Sequence, residues 1–143
     1  MRTPTRSSMR PMLRSALIAL LAVLAVAGSL AAQEDRDWSY LGESHVDKTA
    51  DHDRIRLRHR GPESFRAIRL QVKDGNIEID RIRVHFHDSY EASDRLMHVR
   101  LASGSNSRAI DLPGGRRIID SVEIWYRKDR SGERPTVLLY GLR

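Results

Sequence analysis

The chain has 143 residues, 25 of them basic and 19 acidic, with six histidines and no cysteine. That length allows one domain beside any targeting segment, and zero cysteine removes disulfides, thiol catalysis, cysteine-type zinc sites and iron–sulfur ligation. Arg2, Arg6, Arg10 and Arg14 all precede residue 33 with no acid among them, so the formal +6 shrinks to 21 basic against 19 acidic residues, or +2, beyond that point. A mixed surface of this kind argues against a nucleic-acid partner, which needs a basic face.

Residues 1–32 have the three-part layout of a secretory signal peptide. A basic start is followed by an uncharged Ala/Leu/Val-rich run from Ser15 to Ala32, closed by Ser29-Leu30-Ala31-Ala32. Cleavage after Ala31 or Ala32 is expected, and with it a periplasmic or secreted location. The competing reading is an uncleaved anchor, but a run of about 18 residues stands at the lower limit for crossing a bilayer. Met9 and Met12 are alternative starts that keep the same layout. The cleavage region has no cysteine, which excludes a lipoprotein anchor. The cleaved chain is expected not to be an integral membrane protein, and it must rely on a single core.

Residues 33–37 form a polar leader, and the domain proper is expected over 38–143. Trp38 to Gly42 opens it. Ser44 to Asp53, with Asp47, Asp51 and Asp53, reads as a polar loop. Arg54 to Arg58 reads as a short strand ended by Gly61-Pro62. Phe65 to Lys73 is the clearest strand, with Ile68, Leu70 and Val72 on one face. Asp74-Gly75-Asn76 marks a tight turn. From Ile77 to His87 the apolar phase is carried by Ile77 and Ile79, then restarts with Ile82, Val84 and Phe86. A side-chain period of two cannot cross Asp80-Arg81 without a slip, so a bulge or bend is predicted there.

Asp88 to Asp94 reads as a loop, and Arg95 to Leu101 as a strand with Met97, Val99 and Leu101 inward. A short strand surrounds Ile110, Pro113-Gly114-Gly115 turns, and Arg117 to Lys128 is a long strand with Val122, Ile124 and Tyr126 on one face. Asp129 to Arg134 is a polar hairpin loop. Thr136 to Leu142 is apolar on both faces, as a central or doubly covered strand would be. About eight short strands and no long helix predict an all-β domain, a small β-sandwich with a β-barrel as the alternative.

Several segments together resemble a known group. They are Trp38-x-x-Leu41-Gly42, Asp51-x-Asp53-x-Ile55, the paired Ile68/Leu70/Val72 and Ile82/Val84/Phe86 strands, and Ser107 to Leu112 followed by Gly114, Arg116-Arg117-Ile118 and Val122. The pattern is similar to the small exported bacterial β-domains of unknown function, over about residues 38–143. The resemblance implies a β-sandwich in the cell envelope. It supplies no established activity and transfers no functional residue.

Trp125 is the most informative single residue. Its phase groups it with Glu123 and Arg127, opposite Ile124 and Tyr126. An indole on a polar sheet face can stack on a sugar or anchor a protein partner, against the plainer reading that it covers the sheet under a curled edge. His85 and His87 flank Phe86, and imidazoles two apart on a strand stand about 7 Å apart on one face. With His98 from a neighbouring strand they form a candidate divalent-metal site, opposed by Arg81 and Arg83 beside them. His45, Asp47, Asp51, His52 and Asp53 cluster oxygens without the glycine and closing glutamate of an EF-hand. Arg116-Arg117 after two glycines reads as an exposed turn, with anion binding as the sharper alternative. Gly-x-Ser-x-Gly and His-Glu-x-x-His are both missing.

The expected function is a non-enzymatic binding or structural module of the cell envelope, with a glycan or protein partner and no cofactor. The contact surface is expected at Trp125, Glu123 and Arg127. A periplasmic metal-binding protein using His85, His87 and His98 is the first alternative, and a hydrolase assembled only in space is the second.

Overall fold

The structure, a computed structural model, describes residues 37–46, 51–57, 63–128 and 132–143. The signal-peptide reading of 1–32, the leader up to Arg36, Asp47 and the Gly61-Pro62 break lie outside the described residues. So does part of the Asp129–Arg134 loop. Trp38–Arg143 form one compact unit.

Among the described residues, eight strands divide equally between two antiparallel sheets, and only β4 and β5 are consecutive neighbours in one sheet. They are β1 (Trp38–His45), β2 (His52–Arg56), β3 (Ala67–Lys73), β4 (Ile77–Phe86), β5 (Ala92–Leu101), β6 (Ile110–Asp111), β7 (Ile119–Lys128) and β8 (Thr136–Leu142). Sheet A runs β1-β8-β3-β6 and sheet B runs β2-β7-β4-β5. The two sheets are not closed into a barrel. Among the described residues no helix is long and apolar enough to cross a membrane.

Alternating side chains build the core from both inner faces. Ile68, Leu70, Val72, Val137 and Leu139 come from sheet A, and Ile55, Ile79, Ile82, Val84, Val122 and Ile124 from sheet B, all at most 2% exposed. The doubly apolar β8 is central in sheet A, between β1 and β3, and buries Val137, Leu138 and Leu139. The slip predicted at Asp80-Arg81 is present, for β4 shifts register between Ile79 and Arg81 against both β5 and β7. That bulge keeps Ile77 and Ile79 on the same buried face as Ile82 and Val84. Asp74-Gly75-Asn76 turns the chain from sheet A to sheet B, with Asp74 at φ 60°.

Several boundaries differ from the sequence reading. β1 runs on to His45, where a loop was expected from Ser44, and pairs there with Val137 and Thr136; β3 starts at Ala67 and β7 at Ile119, two residues later than expected, and β6 is only Ile110–Asp111. Three further differences arise because a neighbouring strand supplies what local composition does not. β2 starts at His52 instead of Arg54: His52 and Asp53 pair with Trp125 and Ile124, and Tyr126 Oη donates to Asp53 Oδ2 at 2.7 Å. β5 starts at Ala92 instead of Arg95, because Ala92, Ser93 and Asp94 pair with His85, Val84 and Arg83. Finally, β4 shifts register again between His85 and Phe86, so His87 lies beyond the strand.

Candidate functional site on the outer face of sheet B

The outer face of sheet B is built in rows that cross all four strands. One row is Arg54, Glu123, Arg83 and Asp94, which the register places side by side. Charge alternates along it. Arg54 donates to Glu123 Oε1, and Arg83 forks onto Asp94 with Nε–Oδ1 at 2.9 Å and Nη2–Oδ2 at 3.0 Å. The adjacent row is His52, Trp125, Arg81 and Leu96.

Glu123 is the centre of this surface. It stands on the second strand of the sheet, flanked on both sides, and is only 5% exposed although it faces away from the core. Three cationic or ring groups converge on it. Besides Arg54, His52 Nε2 lies 3.2 Å from Oε2 and His85 Nε2 lies 3.0 Å from Oε1. Their stems and rings shut water out, and their N–H groups satisfy the carboxylate.

Trp125 is held between neighbours. The Arg81 guanidinium carbon lies 3.8 Å from the ring centroid, and the His52 ring stacks at 4.4 Å and 29°. β4 and β2 lie on opposite sides of β7, so the cation and the imidazole reach the indole from the two flanking strands. A sugar would have to compete with both for the ring. Leu96, next in the row, is 76% exposed.

Arg127 shares the face but not the cluster. It forks onto Asp80 (Nη2–Oδ1 2.7 Å, Nε–Oδ2 3.0 Å) and reaches Glu78 Oε1 at 2.9 Å. The structure thus brings Trp125 and Glu123 together and sets Arg127 in a neighbouring ion-pair group. The guanidinium beside Asp80 holds that carboxyl below its ordinary value, and Arg83 does the same to Asp94.

The three metal-candidate histidines are apart, each against its own carboxylate. His85 faces Glu123, His87 Nδ1 lies 3.0 Å from Asp120 Oδ1, and His98 Nδ1 lies 3.5 Å from Asp80 Oδ1. No group of three or more His, Asp or Glu placed to hold a metal ion is found among the described residues. Trp38 is on the other sheet, under Arg69, and Tyr90 is fully exposed in a loop. Arg117 pairs with Asp88 at 2.8 Å and lies over Phe86.

Sequence reasoning set Arg81 and Arg83 beside His85 and His52 in the acidic loop, but joined neither these nor Arg54 to Trp125 and Glu123. For His52 no local signal could do so, because its neighbours Asp51 and Asp53 read as a loop.

The cluster has a pH consequence. Burial pushes the His85 imidazolium down from its ordinary 6.5, and Arg54 and Arg83 add to the effect. The unfolded chain then binds this proton better than the folded one, so stability rises with pH between the depressed folded value and about 6.5. Urea unfolding from pH 5 to 8 should show that slope, and His85→Gln should flatten it. An unchanged slope in the variant would assign it to another group.

A family model described as "Domain of unknown function (DUF2541)" matches residues 17–141. No curated protein and no solved structure matches the chain.

Proposed function

The chain belongs to this family of domains of unknown function, and we propose that it is an exported, non-enzymatic binding module that docks a protein partner on the outer face of sheet B. Trp125, Glu123 and Arg127 lie in the contact surface, with Arg81 and Leu96 completing it.

The observation that carries the reading is the buried Glu123 on a sheet face that no other strand or helix covers among the described residues. Cross-strand charge pairs are worth about 0.2–1 kcal/mol each, and exposed ones often less. Burying a carboxylate for so small a return is weak design for stability, whereas it fixes the positions of several side chains at once. What it fixes is a row of Trp125, Arg81 and exposed Leu96. Trp and Arg are the residues most enriched where protein interfaces gain their energy.

A protein fits better than a glycan, because the indole is already packed against the Arg81 guanidinium and the His52 ring. The non-enzymatic reading rests on the saturation of Glu123. A carboxylate that already accepts from Arg54 and two imidazoles is poorly placed to take a substrate proton. Export rests on the N-terminal sequence layout.

Site-specific photocrosslinking in the cells that make the full chain tests the assignment. A benzophenone amino acid replacing Leu96 should give a discrete adduct with one protein. The same probe replacing Lys73, exposed on β3 of sheet A, should not. Equal adducts from both positions, or none from Leu96, would overturn it.

A further inference from the structure

We propose that the open side of the sandwich binds an extended acidic peptide, which adds to β5 as a new strand. The groove adjoins the Trp125 face and shares Leu96 with it, but its core-side lining of Met97, Val99 and Ile110 is separate from that face.

The sandwich is closed on one side, where β1 and β2 touch. On the other side the sheets end in β5 and in β6, which has only two residues. A groove of about 870 Å³ runs between β5 and residues 105–111. That size suits a bound ligand. Met97, Val99 and Ile110 line it and pack against the core, so its wall is the partly covered margin of the core itself. β5 is an edge strand of ten residues, so one row of its backbone donors and acceptors has no partner strand among the described residues.

Charge selects the occupant. Arg95, Arg100 and Arg108 border the groove, with Asp111 as its one carboxylate among the described residues. Arg95 pairs in register with the buried Ile82, so it stands on the inward side of β5, at the mouth of the sandwich. Neither Arg95 nor Arg108 makes an ion pair among the described residues, and Arg100 reaches Glu78 only at 3.9 Å. The inward arginine keeps the edge from pairing with its own kind. Met97 and His98 (φ 45°) together oppose the one β4 residue between Ile79 and Arg81, and a guest strand adds on either side of that bulge. A second copy would bring the same arginines. A strand with glutamates on the groove side neutralises them while its apolar residues cover Val99 and Ile110. Arg95 to Leu101 lies opposite the six residues Ile77 to Ile82 of β4, a span of about 20 Å with room for roughly six peptide residues.

The test is an amide chemical-shift titration of the labelled full chain with an acetylated hexapeptide alternating valine and glutamate. Its lysine counterpart and a glutamate version N-methylated on alternate amides serve as comparisons. The glutamate peptide should shift residues 95–101 and 105–111, and the lysine peptide should bind at least tenfold more weakly. N-methylation along the bonding edge should abolish binding, because strand addition is held by main-chain hydrogen bonds. Arg95→Glu with Arg108→Glu should reverse the preference to lysine, and Arg108→Gln, a milder change, should weaken the glutamate peptide. Four outcomes overturn the proposal. They are equal binding of both charges, shifts centred on Trp125, self-association through β5, and no binding at millimolar peptide.

Discussion

Gly141→Ala should destabilise the domain by about 3 kcal/mol, the upper part of the range for overpacking a filled core. Gly141 sits on the inner face of β8 between Ser39 and Ile68. A β-carbon there would lie 2.5 Å from Phe65 Cδ1, 2.7 Å from Phe65 Cγ and 2.9 Å from Leu41 Cδ1. The Phe65 ring is 2% exposed and has no free direction in which to retreat. Its backbone is held as well, by reciprocal hydrogen bonds with Arg117 at 2.8 and 2.9 Å. For a domain near 100 residues the melting temperature should fall by roughly 10 °C or more. Adding Phe65→Leu should recover part of the loss, since the two sites share one volume. A single variant melting within a degree of the native chain would mean that the ring is not seated over Gly141.

Glu123→Gln should cost about 1–2 kcal/mol. Removing one partner of a fully buried ion pair costs about 3–5 kcal/mol, because the other charge stays stranded. Here the discount is large: Arg54, His52 and His85 are 43%, 39% and 33% exposed and regain water when released. What is left is the lost charge-assisted bonding around an acceptor that stays buried. Asp94→Asn, which breaks the exposed bridge to Arg83 in the same row, should leave the melting temperature near native. The contrast between the two, read by thermal unfolding at pH 7, checks whether burial at Glu123 organises the face. Equal shifts from both variants would reduce Glu123 to an ordinary surface acid.

Much of the fold was legible because period-two patterning reports directly on which face a side chain occupies. Ile68/Leu70/Val72 and Val122/Ile124/Tyr126 needed no partner to be read as core. Even the bulge in β4 was visible, since a slip of phase has a single geometric meaning. β2 and the start of β5 were not legible, because their reasons lie on other strands. His52 is a strand residue on account of Trp125, and Asp53 on account of the Tyr126 hydroxyl.

The candidate site divides in the same way. Phase alone placed Trp125 with Glu123 and Arg127 on one face. It could not show that Glu123 is nearly sealed, that Arg81 and His52 pack against the indole, or that Arg127 is engaged by Asp80 and Glu78. Those depend on which strands flank β7, and strand order is not written in strand count. The same limit explains the histidines: His85, His87 and His98 are close in sequence or on paired strands, yet two register shifts in β4 send each to a different carboxylate.

The most direct measurement of the central claim is the yield of the Leu96 photocrosslink with and without Trp125→Ala, alongside the melting temperature of each protein. If Trp125 anchors a partner, its removal should cost at least 2 kcal/mol of binding, a loss of roughly 30-fold. The domain itself should stay folded at the temperature of the experiment. An undiminished crosslink from a folded Trp125→Ala protein would contradict the assignment. So would a variant that loses the crosslink only because it has unfolded, for Trp125 would then be a structural residue of sheet B.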